Sequence, residues 1–95
     1  MGGVAGRRRP DLERAPGLIA GRRVVYGAEG CAGIAAEHDG AFLAILNDVA
    51  LTDLVPGEPG GGVAIYAFDT EADRDRFLAE RCRGMHRFDP PLTES

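Results

Sequence analysis

The chain is poor in the side chains on which many enzymes depend. It has no lysine, tryptophan or glutamine, and its only serine is Ser95, the last residue. Serine hydrolases need an ordered serine beside a histidine and an orienting carboxylate, so this class is excluded. A phosphate loop needs a Gly-Lys-Ser/Thr motif ahead of a helix. The glycine-rich stretch 55–62 lacks that motif and precedes an apolar segment typical of a strand, so we interpret it as a connecting loop.

Cysteine and histidine are scarce. Cys31 and Cys82 are the only cysteines, too few for a disulfide framework, and both thiols are expected to be reduced. Cys82 lies on an apolar helical stripe, which is typical of a small buried thiol. Cys31 is predicted to lie in a glycine loop, with a reactive thiol as the alternative. His38 and His86 are far apart and no Cys-x-x-Cys occurs, so the sequence predicts no metal or cofactor.

Long apolar runs are also missing. No window approaches the 18 residues of a membrane span, and the basic start is not followed by the apolar core of a signal peptide. We therefore expect a cytoplasmic protein without membrane contact. All eleven basic residues are arginine, and alanine and glycine are abundant, which indicates a GC-rich, bacterial genome. The net charge of −4 argues against general polyanion binding.

Composition divides the chain into three parts. Residues 1–17 contain four glycines, two prolines and the run Arg7-Arg8-Arg9, and are predicted to be a flexible basic arm. Residues 86–95 contain Asp89-Pro90-Pro91 and are predicted to be a flexible tail. The remaining segment, 18–85, is expected to form one small domain whose stability margin is thin. Self-association is the leading candidate for the additional stability that such a small core needs.

The first half of that domain leaves one question open. Arg22–Tyr26 is predicted to be a short strand by its β-branched and aromatic content. The stretch 33–46 suits a hairpin turning at Asp39-Gly40, because both positions tolerate positive φ. The alternative is a helix over 41–54, since Phe42, Ile45, Leu46 and Val49 also follow helical spacing.

The clearest element is a strand running into a helix over Val63–Arg83. Residues 63–68 are apolar on both faces, which is typical of a covered central strand. Asp69 or Thr70 can cap the following helix, and Gly84 can end it. The sequence thus predicts an α+β domain with a small antiparallel sheet of about four strands, packed by a C-terminal helix. That helix can cover only one face of the sheet, so the second face needs the N-terminal segment or another chain.

The stretch Val63–Leu78, about one sixth of the chain, is similar in pattern to strand–helix units of small dimeric α+β barrel proteins, including antibiotic-biosynthesis monooxygenases. No functional residue is carried over from this resemblance. A separate hypothesis is a small ligand binder or enzyme of the α+β barrel kind, with a pocket under loop 55–62. Four side chains would line this pocket: His38, Phe42, Tyr66 and Phe68.

The poverty of catalytic side chains favours a different first hypothesis. In it the protein is a non-catalytic accessory module that binds a protein partner or itself, as a homodimer through an exposed sheet face. A further alternative is nucleic-acid contact through Arg7, Arg8 and Arg9, which could pair with phosphates. No aromatic residue lies between these arginines in the sequence, which weakens that alternative.

Overall fold

The computed structural model describes residues 6–48 and 63–93. Within them the chain forms six strands of one antiparallel sheet, in the order β1-β5-β4-β3-β2-β6. The order places β1 and β6 at the two edges, so the sheet is open and not a closed barrel. The elements in chain order are β1 (Arg7–Arg8), α1 (Pro10–Arg14), a single 3₁₀ turn (Pro16–Leu18), β2 (Ala20–Ala28), β3 (Cys31–His38), β4 (Ala41–Asp48), β5 (Val63–Phe68), α2 (Glu71–Arg81) and β6 (His86–Thr93).

The predicted α+β class and antiparallel sheet are confirmed, but the sheet has six strands where about four were expected. The two additional strands are β1 and β6. They come from the segments predicted to be a flexible arm and a flexible tail, so residues 6–15 and 86–93 belong to the folded domain instead. The segments 49–54 and 55–62 lie outside the described residues.

The hairpin is the correct alternative for the stretch after β2. Strands β3 and β4 pair in continuous register from Cys31↔Asp48 to His38↔Ala41. Asp39 and Gly40 connect them with φ angles of 49° and 81°, the left-handed pair that suits the twist of a two-residue hairpin. The helical spacing in 41–48 is therefore coincidental, because strand pairing accounts for this apolar stretch. Cys31 is the first residue of β3 and not a loop residue.

Helix α2 begins and ends where its sequence signals predict. The Thr70 hydroxyl accepts a hydrogen bond from the Asp73 amide at 3.2 Å, so an otherwise unpartnered N–H of the first turn is satisfied. Gly84 follows the helix with φ of 89°, a conformation that glycine adopts without strain. Leu78 and Cys82 are buried against the sheet. The thiol of Cys82 lies directly over Gly33, where a Cβ atom would come within 2.5 Å of its sulfur.

Each face of the sheet has its own core. On the face covered by α2 the buried residues are Ala35, Ala44, Phe68, Leu78 and Cys82. On the opposite face they are Leu12, Ile34, Ala36, Leu43, Ile45 and Ile65. Leu12 comes from α1 and is only 1% exposed. The N-terminal segment therefore contributes to the cover of the second face, which is one of the two predicted alternatives.

The premise of an exposed apolar sheet face is corrected by this arrangement. Leu43 and Ile65, at the centre of the second face, are 0% and 1% exposed within a single chain. A second copy is not needed to bury them. The physical reason is that Leu12 packs onto that face although it lies in a charged segment. The half-buried Ile19 packs beside it.

Each edge of the sheet carries a feature that hinders further strand pairing. At the β5 edge, β1 pairs only with Tyr66 and Ala67. The next backbone groups are used by the N-terminal segment, since the Arg9 amide donates to the Ile65 carbonyl and the Ile65 amide donates to the Glu13 carboxylate. At the other edge β6 contains Pro90 and Pro91, which have no N–H to offer a neighbouring strand. Association through sheet edges is therefore disfavoured.

Candidate interaction surface

The four residues predicted to line a ligand pocket do not converge. His38 pairs with Ala41 in the hairpin register, and Ala41 packs on the face opposite α2. Phe42 pairs with Phe68, which lies on the α2 face. Directly opposed residues of an antiparallel pair share a face, so His38 is separated from the other three by the sheet.

Those three aromatic rings are packed differently from the lining of an open pocket. Phe68 is 3% exposed and lies 5.1 Å from the ring of Phe77 on α2. Phe42 is covered by the guanidinium of Arg74 at 5.8 Å. His38 is held on the other face by its Nδ1, which donates to the Leu18 carbonyl at 3.0 Å. Phe68 therefore serves as packing, whereas Phe42 and Tyr66 are half-buried and are covered in part by arginine guanidiniums.

The arginine run does not extend freely into solvent. Arg8 binds Glu13 through two nitrogens, and the Arg9 guanidinium binds Asp11 with contacts of 3.0 and 2.9 Å. Arg7 is exposed in β1. Two of the three charges are thus balanced by carboxylates of the same N-terminal segment. This balance makes the run a poor clamp for the phosphates of a nucleic acid.

Glu13 is the connection between α1 and the sheet edge. Its carboxylate accepts hydrogen bonds from Arg8 and from the Ile65 amide. Partial burial raises the pKa of Glu13, but the hydrogen bonds from Arg8 and Ile65 outweigh it, so the pKa is lowered overall. The hydrogen bond to Glu13 raises the pKa of Arg8 in turn. This contact fixes the position of Arg8 beside β5.

Arg8 and three residues of β5 and α2 form what we call the arginine–aromatic surface: Arg8, Tyr66, Phe77 and Arg81. Two guanidiniums, from Arg8 and Arg81, each lie 5.8 Å from the centre of the Tyr66 ring. Arg81 is also 5.1 Å from the Phe77 ring, and the Tyr66 and Phe77 rings are 4.8 Å apart. Both cations therefore lie within cation–π distance of one aromatic group.

Arg81 differs from the ion-paired arginines of the domain in how it is held. Among residues 6–48 and 63–93 it stacks on two rings and makes no ion pair with a carboxylate. It is exposed, and half of the Arg8 side chain is exposed as well. A guanidinium stacked on a ring still presents N–H donors at its rim. The surface can therefore receive a carboxylate from outside the fold.

No local pattern along the chain indicates this surface as a whole. Arg8 comes from the start of the chain and Tyr66 from its second half, and only the pairing of β1 with β5 brings them together. No aromatic residue lies within the arginine run along the chain, but in the folded domain the Tyr66 ring lies beside Arg8. The spacing of Phe77 and Arg81 by four residues was the one readable signal, since such residues are neighbours on a helix.

A second cluster of charges surrounds Arg74. This residue is 1% exposed, and its guanidinium reaches the Ala36 carbonyl and three carboxylates, those of Glu37, Glu71 and Asp75. Glu37 also binds Arg23 at 2.7 Å, and this hydrogen bond lowers the pKa of Glu37. Every group in the cluster has partners within the domain, so we interpret it as a structural link between α2 and β3.

The two thiols have different surroundings. Burial raises the pKa of Cys82, which disfavours the thiolate that a nucleophile would need. Cys31 is half-buried. In the part of the chain that the structure describes, no three histidine, cysteine or acidic side chains are grouped to hold a metal ion.

Over residues 6–48 and 63–93, neither α-helix is long and apolar enough to cross a bilayer. The chain matches no protein-family model, no curated protein and no solved structure.

Proposed function

We propose that the protein is a non-catalytic interaction module that binds a protein partner through the arginine–aromatic surface. The observation that carries the proposal is the stacking of Arg8 and Arg81 on Tyr66, with Phe77 beside it. Tyrosine, phenylalanine and arginine are enriched at the centres of protein interfaces. Rings that hold the guanidiniums in place reduce the side-chain entropy lost on binding.

The rest of the domain supports this choice of surface. The apolar centres of both sheet faces are buried within one chain. Further strand pairing is hindered by the Glu13 contact beside β5 and by Pro90 and Pro91 in β6. A protein partner is favoured over a nucleic acid because Arg8 and Arg9 already bind carboxylates.

The proposal predicts where a partner can be captured in living cells. A photo-crosslinking amino acid at position 80 would stand on α2 directly beside Arg81. The same amino acid at position 29 would stand in the β2–β3 turn, and both native residues are exposed glutamates, which makes the pair a matched control. We expect irradiation to give a discrete crosslinked product from position 80 and not from position 29, read on a denaturing gel and by mass spectrometry. Equal labelling from both positions, or from neither, would contradict the proposal.

A further inference from the structure

Resting on the proposed function, we infer that the partner is a second copy of this chain, docked with the two α2 helices antiparallel. The inference starts from three residues on one stripe of α2: Asp73, Phe77 and Arg81. They are spaced by four residues, so they follow each other along one side of the helix. That side faces the β1–β5 edge, because Phe77 contacts Tyr66 and Phe68.

The stripe is complementary to itself. A twofold axis through Phe77 reverses the direction of the helix and exchanges the positions four residues before and after that ring. Each Arg81 then meets the Asp73 of the other copy, which gives two identical ion pairs around a pair of phenylalanines. Symmetric dimers have interfaces of this kind, in which residue i contacts residue j and residue j contacts residue i.

The charges of the stripe itself select the antiparallel orientation. Glu71 and Asp75 are already ion-paired with Arg74, so Asp73 in the first turn and Arg81 in the last turn are the charges that this side of α2 offers. Parallel helices would bring Asp73 to Asp73 and Arg81 to Arg81, which disfavours association. Antiparallel helices bring Asp73 of one copy to Arg81 of the other.

The stripe is available in the single chain. Asp73 and Phe77 are half-buried and Arg81 is exposed, and none of the ion pairs among the described residues uses Asp73 or Arg81. Arg8 lies 5.8 Å from the centre of the same Tyr66 ring and adds a second guanidinium near the stripe. A helix of 11 residues is about 16 Å long, which is short for a standard interface of about 1,600 Å². The expected dimer is therefore weak, with a Kd in the micromolar range or above.

Sedimentation equilibrium of the full chain tests the inference. We expect the wild-type protein to shift from monomer to dimer between about 1 µM and about 1 mM. Asp73→Arg and Arg81→Asp should each raise the Kd by at least about tenfold, because like charges then face each other in the symmetric dimer. The controls are Glu29→Arg and Arg87→Asp, which change the net charge equally at exposed positions outside α2. Each control should change the Kd by less than about threefold.

Mixing the two weakened variants gives the decisive result. In a mixed dimer the arginine introduced at position 73 of one copy faces the aspartate introduced at position 81 of the other, and the native Arg81 faces the native Asp73. The mixture should therefore dimerise at least as well as the wild type, and a folding defect could not produce this rescue. If circular dichroism shows that either variant is unfolded, Asp73→Asn and Arg81→Gln replace them, and each should weaken the dimer.

The outcomes separate this inference from the proposed function. A wild-type chain that stays monomeric up to about 1 mM, or a mixture without rescue, overturns the second-copy inference. If position 80 still captures another protein in cells, the proposed function survives with a different partner. If position 80 captures nothing and the wild-type chain stays monomeric, both fail.

Discussion

Replacing Leu12 with alanine is expected to lower the free energy of unfolding by about 2–5 kcal/mol, the range for a buried leucine. Leu12 is 1% exposed and packs in the core of the face opposite α2. The loss combines the hydrophobic transfer energy of the removed atoms with the cavity that they leave. The measurement is urea unfolding at equilibrium, with the slope checked between variants so that the midpoints can be compared.

Leu18 provides the matched control for this substitution. It stands a short way further along the same N-terminal segment, but it is 60% exposed. Leu18→Ala is expected to change the free energy of unfolding by no more than about 0.5 kcal/mol. An equal loss of unfolding free energy in the two variants would mean that Leu12 is no better packed than Leu18. Leu12 would then not be part of the core.

Replacing Arg74 with alanine is expected to lower the free energy of unfolding by about 2–4 kcal/mol. Its side chain is the largest that is fully buried among the described residues, so truncation opens a cavity between α2 and the sheet. The Ala36 carbonyl loses its hydrogen bond from Arg74. The three carboxylates around the guanidinium then lose their shared cation, although their own exposure lets water replace part of that interaction.

Arg76 is the control, since it is exposed and lies on the same helix. Arg76→Ala should change the free energy of unfolding by no more than about 0.5 kcal/mol. Arg74→Met separates packing from charge, because methionine keeps most of the volume without the guanidinium. We expect it to lose less stability than Arg74→Ala. If Arg74→Ala is as mild as Arg76→Ala in the same urea titration, the buried cluster does not link α2 to β3.

The parts of the fold that could be predicted from the sequence are those with local signals. The β3–β4 hairpin depends on Asp39-Gly40, because both residues tolerate the positive φ that a two-residue hairpin turn requires. Helix α2 likewise carries its cap at Thr70 and its terminator at Gly84 within the segment itself. Agreement of several local signals made α2 readable from the residues alone. The hairpin was one of two alternatives, because the same residues also follow helical spacing.

The parts that were missed depend on distant partners. Strand β1 is two residues long and exists only because Ala67 and Tyr66 pair with it. Strand β6 contains Asp89-Pro90-Pro91, which suggests a break, yet an edge strand tolerates proline because one of its sides needs no N–H donors. The pairing of β6 with β2 skips this stretch, resuming at Leu92 after Arg87.

The arginine–aromatic surface also depends partly on distant partners. Phe77 and Arg81 could be placed together by helical spacing, whereas Arg8 could not be placed beside Tyr66 without the sheet order. The pocket hypothesis grouped His38 with Phe42 because the register of the strands could not be read from the sequence. Residues close in sequence on opposite sides of a tight hairpin can lie on opposite faces, and only the register decides this.

The central structural claim is that the N-terminal segment docks on the β5 edge, since this docking covers the second face and sets Arg8 beside Tyr66. Amide hydrogen exchange of the wild-type chain, read residue by residue, tests it most directly. The Arg9 and Ile65 amides donate to the Ile65 carbonyl and the Glu13 carboxylate respectively. Both should exchange at least about a hundredfold more slowly than an unstructured peptide. Exchange of both amides at the unstructured rate, with the Leu43 amide still protected, would contradict the account.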